Sequence, residues 1–118
     1  MLLHCADLGN PARSFDQACE WAKRISTEFT NQVYKERELG MPVTEFLKGL
    51  EEEWKIYKQE IGFINFVVKP LWAAMDRLSE GACKFMLENL ERNAELYLDE
   101  SERLQKKKGM PEEEEKKE

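Results

Sequence analysis

Helices alone account for this sequence, and two observations predict the all-α class. Apolar residues recur mostly at helical spacing, and no sustained period-2 segment rich in β-branched residues appears. At 118 residues the chain can bury one core and not two.

The elements follow in order. Leu2, Leu3 and Ala6 favour helix and Gly9-Asn10-Pro11 stops it, so the first seven residues read as the end of a helix whose beginning is absent. The chain is therefore expected to be truncated at its N-terminus. Ser14 followed by Gln17 makes a capping-box pattern, opening a helix with the stripe Ala18, Trp21, Ala22, Ile25 and Phe29 that runs to about Leu39, where Gly40 ends it. Met41 to Thr44 reads as a loop, and the stretch on to Glu53 as loop or one helical turn. From Glu53 to Lys69 a strong helix is expected, nearly apolar all round between Ile61 and Val68 and so buried between others at the centre of the core. Pro70 should kink or break it before Leu71, Trp72 and Ala73 resume. After Ser79 or Gly81, the residues Ala82, Phe85, Met86, Leu90, Ala94, Tyr97 and Leu98 predict a last amphipathic helix that frays near Lys107. Residues 105–118 hold five basic and five acidic residues with almost no apolar content, which predicts a disordered charged tail behind a domain of residues 1–104.

Composition excludes several functions. Eighteen Lys and Arg against twenty-four Asp and Glu give a net charge of −6, the wrong sign for a nucleic-acid binder. The longest apolar stretch, Ile61 to Met75, is interrupted by Asn65, Lys69 and Pro70 and falls short of the roughly 20 residues that span a bilayer. Cys5, Cys19 and Cys83 form no disulfide framework and no Cys-x-x-Cys pair, and no basic leader precedes them, so a reduced, cytoplasmic chain is expected. His4 is the one imidazole, and a mechanism that needs two histidines cannot be complete here.

Three separated segments carry a resemblance. His4-Cys5-Ala6-Asp7-Leu8-Gly9-Asn10-Pro11 closely resembles the His-Cys-Ala-Asp-Leu-Ser-Asn-Pro motif of class I 3',5'-cyclic nucleotide phosphodiesterases. Trp21, Arg24, Ile25, Glu28-Phe29 and Lys35 to Gly40 follow in that family's order, and Ile61 to Val68 with Pro70-Leu71-Trp72 is similar to its purine-pocket helix. The resemblance covers residues 1 to about 100 and implies the C-terminal third of an all-α catalytic domain. That domain hydrolyses cyclic AMP or cyclic GMP to the 5'-monophosphate in signalling. It implies zinc and magnesium (or manganese) cofactors, a cyclic nucleotide substrate, and a missing N-terminal part that supplies the His-Asn-x-x-His and His-Asp motifs, neither of which occurs here.

Residue by residue, the resemblance makes Asp7 a ligand of the first metal, where a hard anionic carboxylate suits a divalent ion. His4 receives no catalytic role. Asn10 matches an asparagine near the purine, and its amide can donate and accept at a base edge. Trp21, Ile25 and Phe29 match one pocket wall, and Phe63 matches the aromatic that stacks on the base opposite Ile25. Each also has a plain reading, as a turn residue or as core. Three positions depart from the pattern: Val33-Tyr34 stands where Gly-Asp is usual, Thr30 where a second aromatic is common, and Glu60 where a glutamine bonds the purine. The isolated chain is expected to be inactive and marginally stable, with part of its apolar helix exposed for want of partners. The alternative is a non-catalytic helical module kept for protein contacts.

Overall fold

The computed structural model describes residues 1–109, which form five α-helices and no strand: α1 Leu2–Asp7, α2 Phe15–Glu38, α3 Glu53–Phe63, α4 Lys69–Leu78 and α5 Lys84–Lys107. The all-α class is therefore correct for these residues. Of the predicted charged tail, residues 110–118 lie outside the described ones. Gln105 to Lys107 do not belong to it, because α5 continues through them and Gln105 is buried.

α2 opens at Ser14 and closes where Gly40 takes φ +67, a left-handed conformation that a Cβ would strain. The capping box is not formed as the sequence suggests. Ser14 Oγ donates to Gln17 Oε1 at 3.3 Å, and no side chain caps the backbone there. Glu36 draws the following loop back onto the helix, accepting from Gln32 Nε2 (2.9 Å), Thr44 N (2.9 Å) and Thr44 Oγ1 (3.0 Å), and these bonds hold its carboxyl below the usual range. A short 3-10 turn, Glu45–Leu47, then buries Leu47.

α3, a π-helical segment at Ile64–Val68 and α4 run on without a break. Pro70 was expected to kink or break the helix. The wider π turn instead lies immediately before α4 and accommodates a residue that has no N–H to return and whose ring crowds the preceding turn. This long element is buried on one side only, in contrast to the expectation from its composition. Ile64 and Val68 are fully enclosed, whereas Phe66 is 84% exposed. Among the described residues, α2 and α5 cover its inner side, and little covers the outer.

α5 packs chiefly on α3. Its inward face is Leu90, Asn93, Tyr97, Ser101 and Gln105, whereas Phe85 and Leu98, counted by pattern on the apolar stripe, are exposed. The helix begins where Asp76 Oδ1 accepts from Cys83 N at 3.0 Å, after Glu80 (φ 57) and Gly81 (φ 90) reverse the chain. Ser101 Oγ donates to Trp54 O at 3.2 Å, and Lys23 pairs with Glu53 at 3.0 Å, so buried and surface contacts both tie α3 in place.

Candidate functional site

The segment from Leu8 to Arg13 leads from α1 to α2 and is held by side chains far along the chain. Trp72 Nε1 donates to Leu8 O (3.3 Å), Asn89 Nδ2 to Ala12 O (3.0 Å), and Asn93 Nδ2 to both Pro11 O (2.8 Å) and Arg13 O (2.7 Å). Carbonyls in an irregular segment would otherwise lose their partners on burial, so these four bonds fix where Asp7 and Asn10 stand.

That placement builds one side of a cleft against α2 and α3. Asp7 and Asn10 line it from the α1 side, Trp21, Ile25 and Phe29 from α2, and Glu60 and Phe63 from α3, around a cavity of about 330 Å³. All seven residues singled out by sequence are thus brought together. A second, contiguous cavity of about 500 Å³ shares Ile25, Phe29, Glu60 and Phe63 and extends toward Ser26 and Val67. On α2 the small residues Ala18 and Ala22 are buried and line the same cavity beside the larger, exposed Trp21 and Ile25. Arg24 covers the Trp21 ring at 5.2 Å and is itself paired with Glu20 at 2.6 Å.

Polar groups in the cleft are few. Asn10 Oδ1 accepts from Arg13 Nε at 3.0 Å, which leaves the amide's Nδ2 for a ligand. Glu60 is set among apolar walls, and desolvation raises its carboxyl to about 7. Behind it, Tyr97 is fully buried between Phe15 (ring centroids 5.0 Å apart) and Tyr57 (5.4 Å). The Tyr97 hydroxyl has no well-formed hydrogen bond, although the Cys19 thiol lies close enough to perturb it. Burial and the neighbouring Glu60 charge push this phenol well above its ordinary value, and burial likewise raises the Cys19 thiol.

A divalent metal does not fit the described residues by themselves, since no three His, Cys, Asp or Glu side chains gather among them. Asp7 is one carboxylate, exposed, and His4 does not line the cleft. Of the departures from pattern, Val33 is buried in the interior, Tyr34 donates to Glu51 at 3.2 Å, and Thr30 lines a separate depression beside Lys23 and Glu53. Sequence reasoning missed Asn89 and Asn93. The available signal was an i, i+4 pair of amides along the helix stripe, a costly arrangement unless both are bonded.

Comparison with known proteins agrees with this architecture. The profile of the 3'5'-cyclic nucleotide phosphodiesterase family matches residues 1–90. The 3',5'-cyclic-AMP phosphodiesterase 4C of Rattus norvegicus is 34% identical over 96 residues, 81% of this chain and 18% of the relative. The 3',5'-cyclic-AMP phosphodiesterase, isoform F, of Drosophila melanogaster is also 34% identical over 96 residues, again 81% of this chain and 14% of the relative. Among solved structures, the phosphodiesterase domain of the rhodopsin phosphodiesterase of Salpingoeca rosetta superposes with a TM-score of 0.84 at 34% identity, covering 92% of this chain and 32% of that one. A second structure of that organism's RhoPDE phosphodiesterase domain gives 0.82 at 35% identity, over 89% of this chain and 32% of the other. The chain therefore spans less than a fifth of the curated relatives and about a third of the solved domains. With the family profile and the relatives matching most of its length and its helices superposing on solved domains, the chain belongs to the 3'5'-cyclic nucleotide phosphodiesterase family.

Proposed function

We infer that this chain is the C-terminal part of the catalytic domain of a metal-dependent 3',5'-cyclic nucleotide phosphodiesterase, and that it supplies most of the base-binding half of the active site. The observation that carries this reading is the cleft between α2 and α3, where Ile25 and Phe63 stand on different helices and Asn10 and Glu60 are the hydrogen-bonding groups beside them. A planar base fits between an aliphatic and an aromatic wall, Trp21 and Phe29 exclude water around it, and the Asn10 amide donates at its edge. Cyclic AMP is the first substrate to test, because the relatives carry that activity in their names, and cyclic GMP is the alternative. A cytoplasmic setting is consistent with three free cysteines, and among the described residues no helix is long and apolar enough to cross a membrane.

Zinc and magnesium belong to this reading with Asp7 as one ligand. The further ligands must come from the His-Asn-x-x-His and His-Asp motifs of a longer chain, so no step of the hydrolysis is assigned to the residues present. Two measurements test the proposal. The purified 118-residue chain, supplied with zinc and magnesium, should bind cyclic AMP with shifts confined to cleft residues, lose that binding in Phe63→Ala, and show no turnover. Reading the transcript upstream of Met1 should find both histidine motifs in frame. Turnover by the chain alone, abolished by Asp7→Ala, or absence of those motifs, would sink the proposal and favour the non-catalytic module.

A further inference from the structure

Asn10 opens a short 3-10 turn, Asn10–Ala12, and Arg13 closes it; in that geometry side chains three positions apart lie one above the other. Pro11 fixes its own φ inside the turn, and Arg13 N donates to Asn10 O at 3.2 Å. The backbone beneath is held from α5, where Asn93 Nδ2 reaches Pro11 O and Arg13 O and Asn89 Nδ2 reaches Ala12 O. The two side chains therefore meet on a fixed base, although Arg13 is itself exposed and does not line the cleft.

A guanidinium Nε–H can only donate, so the atom of the Asn10 amide that meets it at 3.0 Å is the oxygen. That contact decides the polarity of the amide, because with Oδ1 engaged by Arg13 the free end is the Nδ2 donor. We propose that Arg13 is a positioning residue for ligand binding: it locks the Asn10 amide with Nδ2 toward the cleft, and so makes this wall select a ring edge that carries an acceptor. The proposal rests on the base-binding reading of the cleft given above and adds to it a residue outside the cavity that sets the sense of one hydrogen bond. Without the lock, rotation of the amide presents either its donor or its acceptor to the same ligand.

Arg Nε, Gln Nε2, Glu Oε and Met Cε stand the same number of bonds from Cα, so substitutions at this exposed position separate the hydrogen bond from charge and bulk. Affinity for adenosine, a neutral probe, is measured by NMR titration of the full 118-residue chain, and the order of the Asn10 side-chain amide by nitrogen relaxation without ligand. Arg13→Gln, which keeps a donor and loses the charge, should match the parent in both. Arg13→Met should weaken adenosine about three- to tenfold and leave the amide mobile, with helix content unchanged. Arg13→Glu should weaken it further, since a carboxylate accepts from Nδ2 and turns Oδ1 to the cleft. An Arg13→Met chain that keeps its affinity or its ordered amide, or an Arg13→Gln chain that behaves as Arg13→Met does, would overturn the lock and leave the base-binding reading standing. If adenosine perturbs no cleft resonance of the parent chain, the base-binding reading falls and the lock with it.

Discussion

At the scale of single residues, the buried polar groups have opposite consequences. Asn93 satisfies two backbone carbonyls and is 2% exposed, so Asn93→Ala leaves both without partners and should cost about 2–3 kcal/mol in chemical denaturation. Tyr97 is the reverse case. Its hydroxyl is enclosed without a well-formed hydrogen bond, and Tyr97→Phe should be neutral or stabilising by about 1 kcal/mol. Glu60 links stability to pH. Its folded-state carboxyl binds its proton more tightly than the unfolded chain does, so its own contribution to stability is most favourable at acid pH and declines as pH rises from about 4.5 through about 7. Glu60→Gln should therefore match the parent near pH 5 and exceed it by on the order of 2 kcal/mol at pH 8, read from urea midpoints at the two pH values.

At the scale of elements, α2 and α5 were legible because Ala18, Ala22, Leu90 and Tyr97 keep a helical period and Gly40 and Gly81 mark ends that require positive φ. The junction between α3 and α4 was not. A proline in a helical pattern specifies only that one hydrogen bond is lost, and whether the chain bends or widens into a π turn depends on what packs against Ile64 and Val68. The seven cleft residues were reached through the family resemblance. As bare periodicity, Trp21, Ile25 and Phe63 are indistinguishable from core, since burial on one side and a cavity on the other give the same spacing. The amides on α5 were invisible for a related reason: pattern registers an interruption of the stripe, and only the tertiary structure supplies the carbonyls that Asn89 and Asn93 bind.

At the scale of the whole molecule, the expectation of an incompletely covered helix is met by Phe66 and Val67, exposed before α4, and Leu2 and Leu3 on α1 add further exposed apolar side chains. Such surface favours association. The chain should bind an apolar-surface dye and show concentration-dependent sedimentation, and Phe66→Ser should reduce both without loss of helix content. A monomer that binds no dye at any concentration would contradict the exposure of this face.

The bonds that moor the segment from Leu8 to Arg13 also bear on kinetics. They join residues 64 to 82 positions apart, and so close long loops. Loop closure of that length is entropically late, after α3 and α5 have met through nearer contacts. The mooring should then be absent from the folding transition state, giving Asn93→Ala a φ-value near zero. Refolding would keep its rate while unfolding accelerates roughly thirtyfold for a loss of about 2 kcal/mol. The side of the cleft that carries Asp7 and Asn10 would accordingly be the last part to assemble and the first to leave.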